Sequence, residues 1–315
     1  MRNRASAAEH GRLLSALALA GALTLALAAC GGSAAATPAG SVAPASDVAP
    51  ESVEAAPPTP VVTSVEVDQD AWFAGFKVTF GTATADITEG QGGTVTIEAT
   101  FENTGAEDGS LDATLNLASA GENAVEGMGM DIPAVPGGTT GKGAFAFQVE
   151  DTFTFDDAVL TLGLPTNQQA VVPLTAMAGE AVSQEPVPVA ASGFAKADTL
   201  RVDLEGGERR ADQPWSHGQM EKGSFVLTLD YSATFESDFA GGFAFTGENV
   251  ALTLPDGTTV GTIQDGRSQS IELIAPNTTA KDLFSRFEIE DPAAGDYVLL
   301  VRSFGEEAEI PFSIP

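Results

Sequence analysis

One cysteine in 315 residues rules out any disulfide within the chain, so each folded part must stand on its apolar core. Cationic side chains are also scarce: 14 Lys and Arg against 44 Asp and Glu leave a formal charge of −30. Between residues 60 and 176 only Lys77 and Lys142 offset seventeen carboxylates. Such a surface repels phosphate backbones, which excludes nucleic acid as a partner class. Histidine is limited to His10 and His217. Zinc chemistry wants three or four His, Cys or carboxylate ligands in register, and no Gly-x-Ser-x-Gly elbow exists to build a triad around His217. The expectation is a non-enzyme without a cofactor. Two Trp and two Tyr against eighteen Phe leave few platforms for stacking sugars. Trp215, in the loop-like Gln213-Pro214-Trp215-Ser216-His217-Gly218, is the exception, either packed at a sheet edge or offered to a ligand. No amphipathic helix is legible beyond residue 30.

What the chain does have begins with its first thirty residues. Arg2, Arg4 and Arg12 precede an apolar stretch, Leu13 to Ala29, that is short for a membrane span and ends in small residues. This is the pattern of a signal peptide over 1–29. Leu27-Ala28-Ala29-Cys30 resembles the bacterial lipobox. The resemblance implies cleavage before Cys30, a diacylglycerol on its sulfur and an extracytoplasmic address on the cell membrane. Gly31 rather than Asp follows, which by the same resemblance favours the outer membrane of a two-membrane host. Two or three acyl chains anchor stably, at about 0.8 kcal/mol per buried methylene. Residues 30–60, rich in Ala and carrying Pro38, Pro44, Pro50, Pro57, Pro58 and Pro60, read as a disordered tether spanning on the order of 30 Å.

From Val61 onward, apolar residues alternate with polar ones. Trp72, Ala74, Phe76, Val78 and Phe80 suggest one strand; Val95, Ile97, Ala99 and Phe101 a second; Leu111, Ala113, Leu115 and Leu117 a third. Phe145, Phe147 and Val149, then Leu160, Leu162 and Leu164, continue the series. Period-two runs separated by Gly, Asn and Asp mark half-buried antiparallel strands. The Pro-containing break at 177–192 separates this half, 61–176, from a similar one at 193–315. There, Leu200 to Leu204, Phe225 to Tyr231, Val250 to Leu254, Tyr297 to Val301 and Ile310 to Ile314 alternate likewise, and Ala280 to Phe287 suits either a short helical turn or a strand. Three segments correspond in order: 95–101 with 225–231, 147–151 with 287–291, and 168–174 with 306–312. That order argues for tandem duplication of one all-β sandwich domain.

Phe101-Glu102-Asn103-Thr104-Gly105, followed by Val135-Pro136-Gly137-Gly138, resembles the immunoglobulin-like domains of bacterial secreted antigens and lipoproteins over roughly 63–175. Gly295-Asp296-Tyr297-Val298-Leu299 looks like the tyrosine corner of such folds, whereas the first half has Ala158 at the matching place. The resemblance implies the fold but carries over no functional residue. The function expected is therefore adhesion, scaffolding or ligand presentation from a membrane anchor at Cys30, toward an envelope or extracellular protein. The loops 102–110 and 209–223 are the candidate contact surfaces; Trp215 is a candidate binding residue, and Arg209 and Arg210 are either ordinary surface charges or the residues that meet an acidic partner. The alternative is an envelope calcium or copper carrier. Met128-Gly129-Met130 offers soft thioethers for Cu(I), and Asp156 and Asp157 lie in one of four carboxylate clusters. No cluster has EF-hand spacing, since the fifth position of a loop begun at Asp68 is Trp72.

Overall fold

A computed structural model describes residues 58–119, 124–130, 132–291 and 293–315. The expected signal peptide, Cys30 and nearly all of the tether lie outside the described residues.

The first half forms β1 (Val61–Phe73), β2 (Phe76–Thr88), β3 (Gly92–Asn103), β4 (Leu115–Ala118), β5 (Val125–Glu126), β6 (Met128–Met130), β7 (Thr140–Val149), β8 (Val159–Leu162) and β9 (Ala170–Pro173). One sheet runs β1-β2-β3-β7-β6 and the other β5-β4-β8-β9, with antiparallel pairing throughout. Their inner faces meet in one core, where Phe76, Phe80, Phe101, Phe145 and Phe147 from the first sheet pack on Leu117, Leu160 and Leu162 from the second. Alternation along each strand puts these residues on one side, and each fully buried side chain contributes roughly 1.5–3 kcal/mol of apolar transfer.

The second half forms β10 (Val187–Val189), β11 (Gly193–Ala197), β12 (Leu200–Arg210), β13 (Asp212–Gln213), β14 (Gly218–Gln219), β15 (Ser224–Phe235), β16 (Phe243–Phe245), β17 (Val250–Thr253), β18 (Thr259–Gly261), β19 (Glu272–Ile274), β20 (Thr278–Glu290), β21 (Gly295–Ser303) and β22 (Glu306–Ile314). Its sheets run β10-β12-β15-β20, with β11 also on β12, and β18-β17-β21-β22. A second core holds Tyr231, Phe235, Phe245, Phe287, Leu299 and Ile310.

The pairing orders repeat. β2-β3-β7 matches β12-β15-β20, and β5-β4-β8-β9 matches β18-β17-β21-β22. The three corresponding sequence segments fall on matching strands or their ends, β3 with β15, β7 with β20, and β9 with β22. In both halves the order follows the ABE and CFG pairing of immunoglobulin-like sandwiches, with one further strand beside C. The tyrosine stands at the start of the F-equivalent strand: Tyr297 Oη donates to the Ala293 carbonyl at 2.8 Å.

Three local expectations change. Trp72 to Phe80 is a hairpin and not one strand, because Ala74 and Gly75 both take positive φ (50° and 81°) and reverse the chain as a type I′ turn. The two-residue turn shifts the alternation, so Phe73 and Phe76 face the core while Trp72 lies half-buried beneath the Lys77 ammonium. Leu111 to Thr114 is irregular, and the strand begins only at Leu115. The break at 177–192 is fastened at both ends: Val182 exchanges backbone hydrogen bonds with Val171, and Val187–Val189 pairs with β12. The second sheet thus starts before residue 193. Ala280 to Phe287 lies wholly within β20.

Candidate functional site: the junction of the two sandwiches

The A-to-B connection differs most between the halves. In the first it is the short turn Glu89–Gln91; in the second it grows into the hairpin β13–β14, with Pro214 to His217 at its tip. This hairpin docks on the first sandwich at the β1–β2 turn and the loop after β3. Asp212, 1% exposed, is the centre of the docking. One of its oxygens accepts the Gly75 amide at 2.8 Å and the other accepts Arg210 Nε at 2.7 Å. Gln219 Oε1 accepts the neighbouring Ala74 amide at 2.8 Å, so both left-handed turn residues are held by the opposite sandwich. Thr104 closes the ring: its amide and its hydroxyl both donate to the Gly75 carbonyl, and the hydroxyl accepts from Arg210 Nη2 at 3.2 Å.

Close backbone approach requires glycine at two places here. A Cβ on Gly75 would stand 2.9 Å from Pro214 Cα, and one on Gly105 would run into the Pro214 carbonyl oxygen. His217 stacks on Phe76 at 5.4 Å between ring centroids and lies 3.4 Å from Asn103 Oδ1. Farther along, Gln168 donates its amide to the Met220 carbonyl, Lys222 donates to Thr166, and Arg267 pairs with Glu107 at 3.0 Å.

The two loops expected to be contact surfaces, 102–110 and 209–223, therefore meet each other within the chain. Arg210 is not offered to a separate acidic partner: its side chain is 12% exposed and pairs with Asp212 and Glu208. Burial works against its charge, but those carboxylates hold its proton affinity above the ordinary arginine value. Arg209 is half-buried with its guanidinium 4.8 Å over the Phe225 ring. Trp215 packs against Met220 and Val226 and donates Nε1–H to Asp265 at 2.7 Å. Burial acts to raise the Asp265 pKa, yet hydrogen bonds from Ser268, Arg267 and Trp215 keep it below the usual range. The sequence signalled Trp215 by its odd setting, but no periodicity marks Asp212 or Gly75, which meet across 137 positions.

Of the metal candidates, Met128 and Met130 share the short strand β6, and the Met130 side chain lies outside the described residues. Met128 is exposed on β6, which pairs with β7, whereas Met220 is buried at the junction and its sulfur accepts from Gln213. Asp157 accepts from Ser119 and Thr154, and the backbone carbonyl of Asp156 accepts from Thr175. Among the described residues no group of three or more His, Cys, Asp or Glu side chains is placed to hold a metal ion.

Beside Trp215 a groove of about 290 Å³ opens between the sandwiches, lined by Thr104, Glu208, Arg210, Asp230 and Arg286 among others. The Arg286 guanidinium lies over Trp215 at 4.2 Å and over Phe284 at 4.5 Å. At the other end of the second sandwich the β21–β22 turn places Phe304 at φ 48°, 74% exposed.

No protein-family model matches the chain, and no curated protein does. A solved structure described as the conserved domain protein from Bacillus anthracis aligns over 80% of this chain and 90% of its own length, at 12% identity and a TM-score of 0.23. A likeness of that size carries no argument, so the fold rests on the strand pairing above.

Proposed function

We propose that the chain is a non-enzymatic, lipid-anchored cell-envelope protein of the immunoglobulin-like kind, serving as a scaffold, adhesion or ligand-presenting module. Cys30 is the acylated residue and residues 31–60 the tether. The observation that carries the reading is the junction. A buried carboxylate, two glycines and a dedicated hairpin fix one sandwich against the other, an arrangement suited to holding a surface in a set orientation. His217, the histidine that a hydrolase would need, stacks instead on Phe76 in that junction.

The test is Cys30→Ser expressed in a bacterial host that processes lipoproteins. The parent should label with radioactive palmitate and sediment with membranes, while the variant stays unlabelled and is recovered in the soluble extracytoplasmic fraction. An unlabelled parent, or a variant that still sediments with membranes, would overturn the anchor.

A further inference from the structure

Arg286 is unusual for a chain with three times as many carboxylates as cations. It is half-buried, yet among the described residues no carboxylate lies within the 4 Å of an ion pair. The Trp215 and Phe284 rings hold its guanidinium by their faces, and one nitrogen, Nη1, donates to the Arg267 carbonyl at 2.7 Å. Its other N–H groups have no protein acceptor among the described residues. A planar guanidinium stacked in this way offers a preorganised fork for a carboxylate.

The same groove contains the opposite charge. Strand register pairs Thr228 with Arg286 and Asp230 with Phe284, so Asp230 and Arg286 are diagonal neighbours on adjacent strands. The Cα atoms of such neighbours stand about 7–8 Å apart, a separation that long side chains can bridge, yet the two groups form no ion pair among the described residues, and one small molecule can reach both. Asp230 has no hydrogen-bond or ion-pair partner among the described residues. Burial, together with Glu208 and Glu205, pushes its pKa up although Arg286 pulls it down, while burial and the nearby Arg210 lower that of Arg286 against the opposing pull of Asp265, Asp230 and Glu208. Neither group has an ion-pair partner among the described residues, although the two attract each other and Asp265 also favours the Arg286 charge. Asp230 is exposed and Arg286 half-buried, so the desolvation cost falls on the guanidinium; a ligand that supplies its counter-ion is stabilising.

We propose that this groove binds a small zwitterion of the amino-acid or short-peptide class, with its carboxylate on Arg286 and its ammonium on Asp230. Thr104 and Thr228 line the same groove. The site belongs to neither sandwich alone, because Thr104 comes from the first and the strand face from the second. It is independent of how the chain is anchored.

The experiment is a thermal-shift titration of the chain from residue 30 with Cys30 replaced by serine. The probes are glycine and glycylglycine, zwitterions of two lengths, with acetate and methylammonium as single-charge controls at matched ionic strength. At a hundred times the dissociation constant, one of the zwitterions should raise Tm by about 5 °C or more, with neither control doing so. Asp230→Asn is nearly isosteric, and with Arg286→Lys, which keeps the charge but loses the fork, it should weaken the response at least about tenfold. If Arg286→Lys does not fold, Asp230→Asn alone decides. No shift with either zwitterion at 50 mM, as large a shift with acetate, or an unchanged response in Asp230→Asn would each overturn the proposal.

Discussion

Replacing Asp212 by alanine should unfasten the two sandwiches, and the structure gives the magnitude. The substitution removes the acceptor of the Gly75 amide, held at 2.8 Å, and the partner of Arg210 Nε at 2.7 Å. Arg210 is left nearly buried with only Glu208, itself 44% exposed, opposite its charge. Breaking a buried pair from one side costs about 3–5 kcal/mol, and stranding a buried amide is part of that range rather than an addition to it. In a folded unit of this size, each kcal/mol moves Tm by about 2–4 °C, so a fall of roughly 6–20 °C is expected. A double-mutant cycle sharpens the test. Arg210→Met should cost less than Asp212→Ala, and the double variant less than the sum of the two, with a coupling of about 2 kcal/mol or more. The assay is calorimetry of the parent and the three variants. A Tm within 1 °C of the parent for Asp212→Ala, or strict additivity in the cycle, would refute the junction as the place where the halves are joined.

Three further outcomes follow from other contacts. Gly105→Ala should destabilise by more than about 1 kcal/mol and split the calorimetric transition in two, since its Cβ would strike the Pro214 backbone; an unchanged single transition would contradict the close approach. Both tyrosines are raised above their ordinary ionisation range by burial, Tyr231 despite its 2.7 Å hydrogen bond with Ser285. A phenol whose folded pKa lies above its unfolded value leaves stability intact below pH 10 and weakens it as pH climbs beyond. The Tyr231 phenolate absorbance at 295 nm should thus appear only with unfolding, and the alkaline loss should shrink in Tyr231→Phe; native-state titration of both tyrosines near pH 10 would contradict this. Tyr297→Phe removes the bond to the Ala293 carbonyl and should cost about 1 kcal/mol by urea denaturation, with no measurable change as the contrary result.

Much of the fold was legible because a sheet buried on one face writes itself as alternation. Val95, Ile97, Ala99 and Phe101 read as a strand and form one, and the segment 225–231 does the same on the matching strand of the second half. The tyrosine corner was legible for a different reason: Gly295, Asp296 and Tyr297 carry their geometry locally. The hairpin at Ala74–Gly75 was not. An alanine at φ 50° has no strong sequence signal, and the Gln219 side chain, far away in the chain, helps to hold it there. The junction was hidden for the same reason. Asp212 is one of 44 acidic residues, and only the fold distinguishes it from those on the surface by burying it against Gly75. Arg210 and Trp215 stood out in the sequence, but both meet the chain itself: Arg210 pairs with Asp212 and Glu208, and Trp215 donates to Asp265.

The central claim is that the two sandwiches are held as one unit at the β1–β2 turn. Native-state hydrogen exchange at the Ala74 and Gly75 amides tests it most directly, because both donate only to side chains of the opposite sandwich. The account predicts slow exchange at both, comparable to the amides of β2 and β3, and faster exchange at both in Asp212→Ala. Exchange at the rate of an exposed turn, while β2 and β3 remain protected, would show that the sandwiches move independently and would contradict it.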